Sequence, residues 1–597
     1  MVPYTAPIAD MRFVLNRLVG LDSIAALPGY EEATPELVEA VLEEAGKLAS
    51  GVLAPLNHIG DQTHSVLENG VVRTPEGFKQ AYDQYRDGGW NAVPFDPEHG
   101  GQGLPWTVAF AVQEMWQAAN MAFGLCPLLN QGAVELLQDH GTDEQKRVYL
   151  PKMIAGTWTG TMNLTEPQAG SDVGAVRTKA VRDGEVYRIS GQKIYITYGE
   201  HDFADNIVHL VLARTPDAPS GIKGISLFVV PKFLVNEDGS LGERNDLRCV
   251  SLERKLGINA SPTCVMAYGD NDGAVGFMVG EENRGIEYMF KMMNNARLSV
   301  GLQGIAIAER AYQQARDYAR TRVQGRAVGD KSGGGATIIH HPDVRRMLLG
   351  MKAQIEAGRA LIYRAAAALD TAKRHPDRAE RQAAHSLVDL LTPVVKAWCT
   401  DVGCDVASTG VQIHGGMGFV EETGAAQHLR DARIAPIYEG TNGIQAADLV
   451  FRKVGRDGGA AASGFIAEIG ALDAALAKAG GEDMAAIRAR LADGAEALAA
   501  ASGWVAEAAK ADAAAAAAGS AHYLRMFGLV AGGYMMARAG LEAQADLEAG
   551  NGDAGFAQAK STTARFFADQ FLPQARGLLV PLTEGHRAVT ALEEEAF

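Results

Sequence analysis

Between residues 161 and 282 the hydrophobic pattern changes period, and this change limits the folds open to the chain. Before it, Pro35 opens a run through Leu37, Val38, Val41, Leu42 and Ala45 that repeats at helical spacing. After His99-Gly100-Gly101-Gln102-Gly103 the same spacing resumes at Val108, Val112, Met115 and Trp116. Within 161–282 the apolar runs are short or alternating: Val186 to Ile189, Ile194 to Ile196, Ile207 to Ala213, Ile225 to Val230 and Thr263 to Tyr268. Gly, Asp, Asn and Pro separate them, as in a compact β unit. Near Gly285 the helical period returns with Ile286, Met289, Phe290 and Met293, and it lasts to about 455. The expected architecture is α+β and multidomain, since single cores stop growing near ~250–300 residues and the chain has 597. The expected divisions are an N-terminal extension (1–34), a helical domain (35–160), a β domain (161–282), a helical bundle (283–455) and an additional helical domain (456–597).

The last of these opens after Gly455-Arg456-Asp457-Gly458-Gly459 and is rich in alanine, the strongest helix former. Tyr523, Phe527, Tyr534, Phe566, Phe567 and Phe571 supply bulk for a core, so it reads as a folded packing or assembly domain. Residues 457–597 hold ten basic against eighteen acidic side chains, a balance of −8 within a chain of net charge −17. That charge argues against a general nucleic-acid or anionic-membrane binder. The five cysteines, Cys126, Cys249, Cys264, Cys399 and Cys404, are scattered and complete no metal set; reduced core thiols in a cytoplasmic protein are expected. No leader pattern is read at the N-terminus, and no stretch is read as reaching the ~20 apolar residues of a membrane span.

Two stretches carry chemistry. In Ile437-Tyr438-Glu439-Gly440-Thr441-Asn442, a carboxylate stands between an aromatic and a glycine on a short connector. It reads either as a solvated loop glutamate or as a base beside a substrate, with Tyr438 excluding water and Gly440 admitting a ligand to the backbone. In Met162-Asn163-Leu164-Thr165-Glu166-Pro167-Gln168-Ala169-Gly170-Ser171-Asp172, hydroxyls and small residues surround a proline. This is either a plain turn or a seat for a flat polar heterocycle. Tyr195 and Thr197 share one side of a strand, suited to ordinary sheet packing or to stacking on and bonding a ring.

Together these residues resemble the FAD-dependent acyl-CoA dehydrogenases. Leu164 to Asp172 and Ile437 to Asn442 look like two of that family's signatures, in its order and spacing. Gln412-Ile413-His414-Gly415-Gly416-Met417-Gly418 resembles its flavin-contacting glycine motif, and Arg297, Tyr318 and Arg322 fall where its central helices carry like residues. The resemblance covers roughly 35 to 455. It implies an N-terminal helical domain, a central β-barrel-like domain and a C-terminal four-helix bundle, here with the additional helical domain. Tyr4 to Met11 and that added domain look most like the long-form subgroup that contains 3-methylmercaptopropionyl-CoA dehydrogenases and related bacterial enzymes.

The resemblance also implies a mechanism. Glu439 would take the α-proton of a saturated thioester and the flavin the β-hydride, giving a trans-2-enoyl-CoA. The thioester oxygen would accept bonds from the base's own amide and a ribityl hydroxyl, a device worth roughly 3–4 kcal/mol per donor elsewhere. Carried over by position, Leu164, Thr165, Tyr195 and Thr197 would meet the flavin ring, and Arg322 and Gln324 the pyrophosphate. Gln412 and Gly416 would reach FAD from a neighbouring subunit, with Thr441 near the adenosine. Ser171, Asn294 and Arg297 would border the pantetheine, with Tyr438 and Gly440 beside the acyl group. Tyr195 replaces the usual tryptophan, Gly325 replaces a common phenylalanine, and the insertion Gly329 to Gly335 follows it at the expected CoA entry. Some members place the base next to the position of Arg297, but Ala296 stands there, so Glu439 keeps the role. A solvated helix face is the other reading of Arg297, Arg320 and Arg322, and His340-His341 reads as a polar helix start. The implied partners are an electron-transferring flavoprotein and a second copy of the chain. The competing readings are a medium- or long-chain fatty acyl-CoA dehydrogenase, an oxidase, and a nucleic-acid-associated flavoprotein of the stress response; the −8 balance speaks against the last.

Overall fold

The computed structural model describes residues 3–329 and 334–597, so residues 330–333 of the glycine-rich insertion lie outside the described residues. The chain divides into two compact units. A bundle unit comprises Met1–Glu43, Trp106–Glu114 and Val300–Phe597; a sheet unit comprises Glu44–Pro105 and Met115–Ser299.

The sheet unit is built on an eight-stranded sheet. Its path runs from Leu247–Leu252 through Thr263–Tyr268, Val186–Thr197, Ala274–Met278, Ser226–Pro231 and Asn206–Ala213 to Trp158–Asn163, with Lys179–Asp183 pairing Val186–Thr197 off this path. Only the last pair on the path is parallel. Asn206–Ala213 and Ser226–Pro231 are buried along their whole length, which is why they read as apolar runs without alternation. Val186–Thr197 serves two sets of neighbours: residues 186–190 face Lys179–Asp183 and Ala274–Gly276, and residues 191–197 face Thr263–Tyr268. Gly191 sits where they change, at φ +149°, and a Cβ there would lie 2.7 Å from Thr178 Oγ1. The expected barrel-like domain is a curled open sheet. The helices Met121–His140 and Asp143–Ile154 precede it; a Thr142/Gln145 capping box starts the second.

Trp158–Asn163 carries no strand-like pattern, because its inward residues are polar. Thr159, Thr161 and Asn163 are buried, and each is answered: Thr159 by His201, Thr161 by His209, and Asn163 by the Tyr268 hydroxyl at 2.8 Å. A hairpin, Val66–Glu68 with Val71–Arg73, interrupts a region read as helical.

In the bundle unit, the helices Pro342–Arg374 and Arg378–His414 pack with the C-terminal part of Gly285–Thr321. A Cβ on Gly304 would lie 2.3 Å from Cys399 O, so glycine sets the closeness of that crossing. The additional helical domain is continuous with this core. Its helix Ala513–Ala549 lays Gly528 and Gly532 against the Trp398 ring, where added Cβ atoms would come within 2.3 and 2.6 Å. Buried charges join three parts of the sequence. Arg359 pairs with Asp10, Glu114 and Glu309, and Lys560 pairs with Asp10 and Glu356. Burial alone would raise the Asp10 carboxyl, but the Lys560 and Arg359 charges outweigh it and hold it below the usual range.

One expectation needs correction. Residues 460–479 are long and apolar enough, by length and composition, to cross a membrane. The small residues Ala and Gly hid this, since the run has few bulky side chains. It forms two helices, Ala460–Ala471 and Asp473–Ala479, that bury Phe465, Ile469 and Leu476, while Glu468 accepts bonds from Arg364 and Tyr534. The five cysteines are free thiols, four of them buried.

Candidate functional site

In the bundle unit, the loop bearing Glu439 lies between the helices Ala425–Ala432 and Asn442–Ala447. Ile434 O accepts bonds from the amides of Ile437 and Tyr438, and Asn442 N donates to Pro436 O at 2.9 Å, closing the loop at its base. At its apex Glu439 is half-buried with φ +55°, followed by Gly440 at φ +82°. A left-handed conformation suits glycine but costs an ordinary L residue ~1 kcal/mol or more, so the surrounding structure must impose it. The contacts that do so are visible. Tyr438 donates its phenol proton to Gln303 Oε1. Gln445 Nε2 reaches the carbonyls of Glu439 and Gly440 at 3.3 and 3.5 Å. Asn442 is fixed to Arg378–His414 by donating to Ala397 O, Thr400 Oγ1 and Asp401 Oδ1, and by accepting from Lys396 Nζ. Burial pushes the Tyr438 phenol pKa up, and the Glu439 charge adds to it. Tyr438 is therefore neutral and acts as an apolar wall with a polar anchor.

Thr441 caps the following helix, its Oγ1 accepting from Ile444 N at 3.2 Å. Arg322 and Gln324 are exposed just beyond Gly285–Thr321 and touch each other at 3.2 Å. Gln324 N donates to Ala336 O, and His341, first residue of the turn into Pro342–Arg374, donates from Nε2 to Gln324 O at 2.7 Å. The polar helix start thus also fastens a predicted phosphate contact. Gln412 is exposed on the last turn of its helix and Gly416 lies just past it. Between these elements the Tyr318 ring stacks on His414 at 4.4 Å.

In the sheet unit, the structure brings the two predicted ring-facing stretches together. Ile194 N donates to Thr165 O at 2.9 Å, and Lys193 Nζ donates to Leu164 O at 3.0 Å. Leu164 is buried, Thr165 and Thr197 half-buried, and Tyr195 is 61% exposed. Tyr195 and Thr197 do lie outward of buried Ile196, but not on a regular strand: the register shifts opposite Cys264/Met266, and Tyr195 adopts φ +60°. Ser171 is exposed in the turn that follows the Leu164 stretch. Asn294 and Arg297 stand one turn apart on Gly285–Thr321, Asn294 exposed and Arg297 only 5% exposed. Burial excludes the solvated-face reading for Arg297; Arg320 and Arg322 are exposed.

Sequence reasoning missed Lys193, Gln303 and Lys396, and the bond by which His341 holds Gln324. Only Lys193 had left a signal: it shares strand parity with inward Ile189, an unusual place for a lysine.

Taken unit by unit, the groups present suit parts of a flavin dinucleotide. In the sheet unit, Tyr195 offers an aromatic face that the sheet leaves open; in the bundle unit, Arg322 and Gln324 offer exposed donors for phosphate oxygens, and an added Cβ at Gly416 would meet nothing within 4 Å.

Comparison with known proteins gives the family and the fold. Residues 39–157, 161–270 and 283–453 match the N-terminal, middle and C-terminal domains of acyl-CoA dehydrogenases, and 465–593 match a domain described as acetyl-CoA dehydrogenase C-terminal like. The chain is 52% identical over 570 residues to a 3-methylmercaptopropionyl-CoA dehydrogenase of Ruegeria pomeroyi, covering 95% of this chain and 96% of the relative. It is 35% identical to a broad-specificity linear acyl-CoA dehydrogenase of Mycobacterium tuberculosis over the full length of both. An acyl-CoA dehydrogenase of Bacillus anthracis solved in complex with FAD has the same fold, with a TM-score of 0.72 at 19% identity over 95% of this chain and 90% of that one.

Proposed function

We propose that this chain, which belongs to the acyl-CoA dehydrogenase family and carries out FAD-dependent dehydrogenation of acyl-CoA thioesters, acts on 3-methylmercaptopropionyl-CoA to give methylthioacryloyl-CoA. The observation that carries the catalytic assignment is Glu439, a half-buried carboxylate held in left-handed backbone between Tyr438 and Gly440, themselves half-buried. Glu439 takes the α-proton; Tyr438, anchored on Gln303, keeps water from the carboxylate; Gly440 leaves room for the thioester beside the backbone. When bound, FAD supplies the acceptor for the hydride that leaves the β-carbon. Leu164, Thr165, Tyr195 and Thr197 would hold the ring, and Arg322, Gln324 and Thr441 the rest of the dinucleotide, with Gln412 and Gly416 reaching it from a neighbouring subunit. Ser171, Asn294 and Arg297 hold the pantetheine.

The substrate assignment rests on the Ruegeria pomeroyi relative. A straight-chain acyl-CoA is the second reading, favoured by the full-length match to the linear-chain enzyme. A panel of acyl-CoA thioesters with an artificial electron acceptor separates them: the thioether substrate is expected to give the highest kcat/KM, and a steady rise with chain length rejects it. Electron-transferring flavoprotein is the expected physiological acceptor, and the cytoplasm the expected location, in keeping with five free thiols. We expect a homodimer. Supporting this, Phe419 is 87% exposed and Met417 is also exposed, next to Gly416, an apolar surface suited to a second copy. Light scattering showing a tetramer rejects it.

A further inference from the structure

One buried ion pair belongs to both stretches assigned to the flavin ring in the sheet unit. Glu166 directly follows Thr165, and Lys193 stands two residues before Tyr195. Glu166 is 3% exposed and Lys193 is fully buried. Lys193 Nζ donates to Glu166 Oε1 at 2.8 Å and to the carbonyl of Leu164 at 3.0 Å. Alongside, Ile194 N donates to Thr165 O. From the other side, the Glu166 carboxylate receives the amides of Arg177 and Thr178 at 2.7 and 3.0 Å, the Thr178 hydroxyl and Gln168 Nε2. The backbone from Leu164 to Glu166 is therefore slung between one side chain of the long strand and the start of its neighbour.

The position of the lysine matters as much as its partners. It is the last residue of Val186–Thr197 in regular register with Met266 before the shift that puts Tyr195 at φ +60°. Burying two charges recovers little net stability, and an apolar pair of similar volume often does as well. What an ion pair adds is direction, since charge-assisted bonds are short and strongly angled. Here that direction is spent on a carbonyl and a carboxylate within the same three residues.

We propose that Glu166 and Lys193 are positioning residues of the flavin site, setting the spacing between the wall formed by Leu164–Thr165 and the wall formed by Tyr195–Thr197. The inference rests on reading those two stretches as flavin contacts, and it adds what holds them apart. Neither side chain touches the ring; both act through the backbone they fix.

The test uses the full-length holoenzyme and four variants: Lys193→Met, Lys193→Arg, Glu166→Gln and Thr165→Ala. For each, the FAD dissociation constant, the visible absorption bands of the bound flavin and the thermal melting temperature are measured. Lys193→Met is expected to weaken FAD binding by about tenfold or more, the scale of losing a bond to a charged group, and to shift the flavin bands. Lys193→Arg keeps the charge and is expected to recover part of both. A lower melting temperature with unchanged FAD affinity and bands in Lys193→Met overturns the proposal, because a purely structural pair would do just that. If Lys193→Met does not fold, Glu166→Gln decides by the same criteria, since it keeps the shape and removes the charge, while its single carbonyl oxygen still accepts from one of the two amides. Thr165→Ala examines the underlying reading by itself: unchanged FAD affinity there removes the contact assignment whatever Lys193 does.

Discussion

Glu166 and Glu439 both sit in stretches that sequence analysis picks out, yet the structure treats them in opposite ways. Glu166, in the sheet unit, is surrounded by donors. Burial by itself would raise its pKa, but the Lys193 charge and the bonds from Thr178 and Arg177 outweigh burial and hold the carboxyl at about 2. Such a group cannot accept a proton near neutral pH. Glu439, in the bundle unit, is half-buried and sits in a backbone conformation that its side chain does not favour. The donors around Glu166 mark a residue that holds structure; the left-handed backbone at Glu439 is one of the observations on which the proposed catalytic role is built. Motif membership does not by itself assign a role: Glu166 is fixed by the donors around it, while strain at Glu439, which Tyr198 and Ile258 share, supports the proposed role only together with Tyr438 and Gly440 beside it.

The largest effect that can break this contrast is catalytic. Glu439→Gln is expected to lose turnover by roughly ten-thousand-fold, about 5 kcal/mol, while FAD and acyl-CoA still bind. Stopped-flow reduction of the bound flavin measures it. Near-normal reduction would put the base elsewhere, and would leave the strain at Glu439 without a function.

The next effect is on stability, and it extends the contrast to carboxylates with no motif at all. Asp10 and Glu356 are held by Lys560, which comes from the additional helical domain. Lys560→Met removes the cation and leaves Asp10 with Arg359 and Glu356 with Lys352. A loss of about 3 kcal/mol is expected from breaking a buried pair on one side, read from denaturant unfolding. FAD content of the folded protein is expected to stay at the wild-type level. If stability is unchanged, the added domain does not lean on this contact.

These residues also show what a sequence discloses. The order of helices, sheet and helices was legible because burial imposes periods of 3.6 and 2 on apolar residues, as along Gly285–Thr321 and in Val186–Ile189. Trp158–Asn163 was not legible, because its core face is threonine and asparagine paired to His201, His209 and Tyr268. Glu439 could be singled out from its neighbours Tyr438 and Gly440, but its φ of +55° could not. Lys193 shows the remaining gap most clearly. Its strand parity said that it points inward, yet only the fold shows that it ends on Leu164 O and Glu166. The contact between Asp10 and Lys560 links residues near the two ends of the chain, and no local pattern encodes it.

A smaller effect follows from pH. The folded pKa of Glu166, about 2, lies below its ordinary value of 4.5. Its contribution to stability is therefore complete above 4.5 and disappears as pH falls through about 2. Lys193 has the reverse sense. Burial pulls its pKa down to about 8, only partly offset by Glu166, so between about 8 and 10.5 its deprotonation in the folded state makes stability rise with pH. The difference in melting temperature between wild type and Glu166→Gln is accordingly expected to shrink as pH is lowered from 4.5 towards 2. A constant difference over that range would mean that the Glu166 charge is not what the surrounding donors select.

The smallest effect bears most directly on strain. Glycine occupies the left-handed region without the steric cost that a Cβ brings, so replacing Glu439 by glycine should relieve a penalty that replacing it by alanine keeps. Glycine also gains more freedom in the unfolded chain, which opposes the relief and limits the net difference. Glu439→Gly is expected to be more stable than Glu439→Ala by about 0.5–1 kcal/mol, although both are inactive. At Glu166, an isolated bridge residue at the start of a turn with no positive φ, the same pair of substitutions should favour alanine. Equilibrium unfolding of the four variants gives two differences of opposite sign if backbone strain separates the two glutamates. Alanine favoured at both positions would mean that the loop relaxes around residue 439, and that the left-handed turn is not imposed by Asn442, Gln445 and Tyr438.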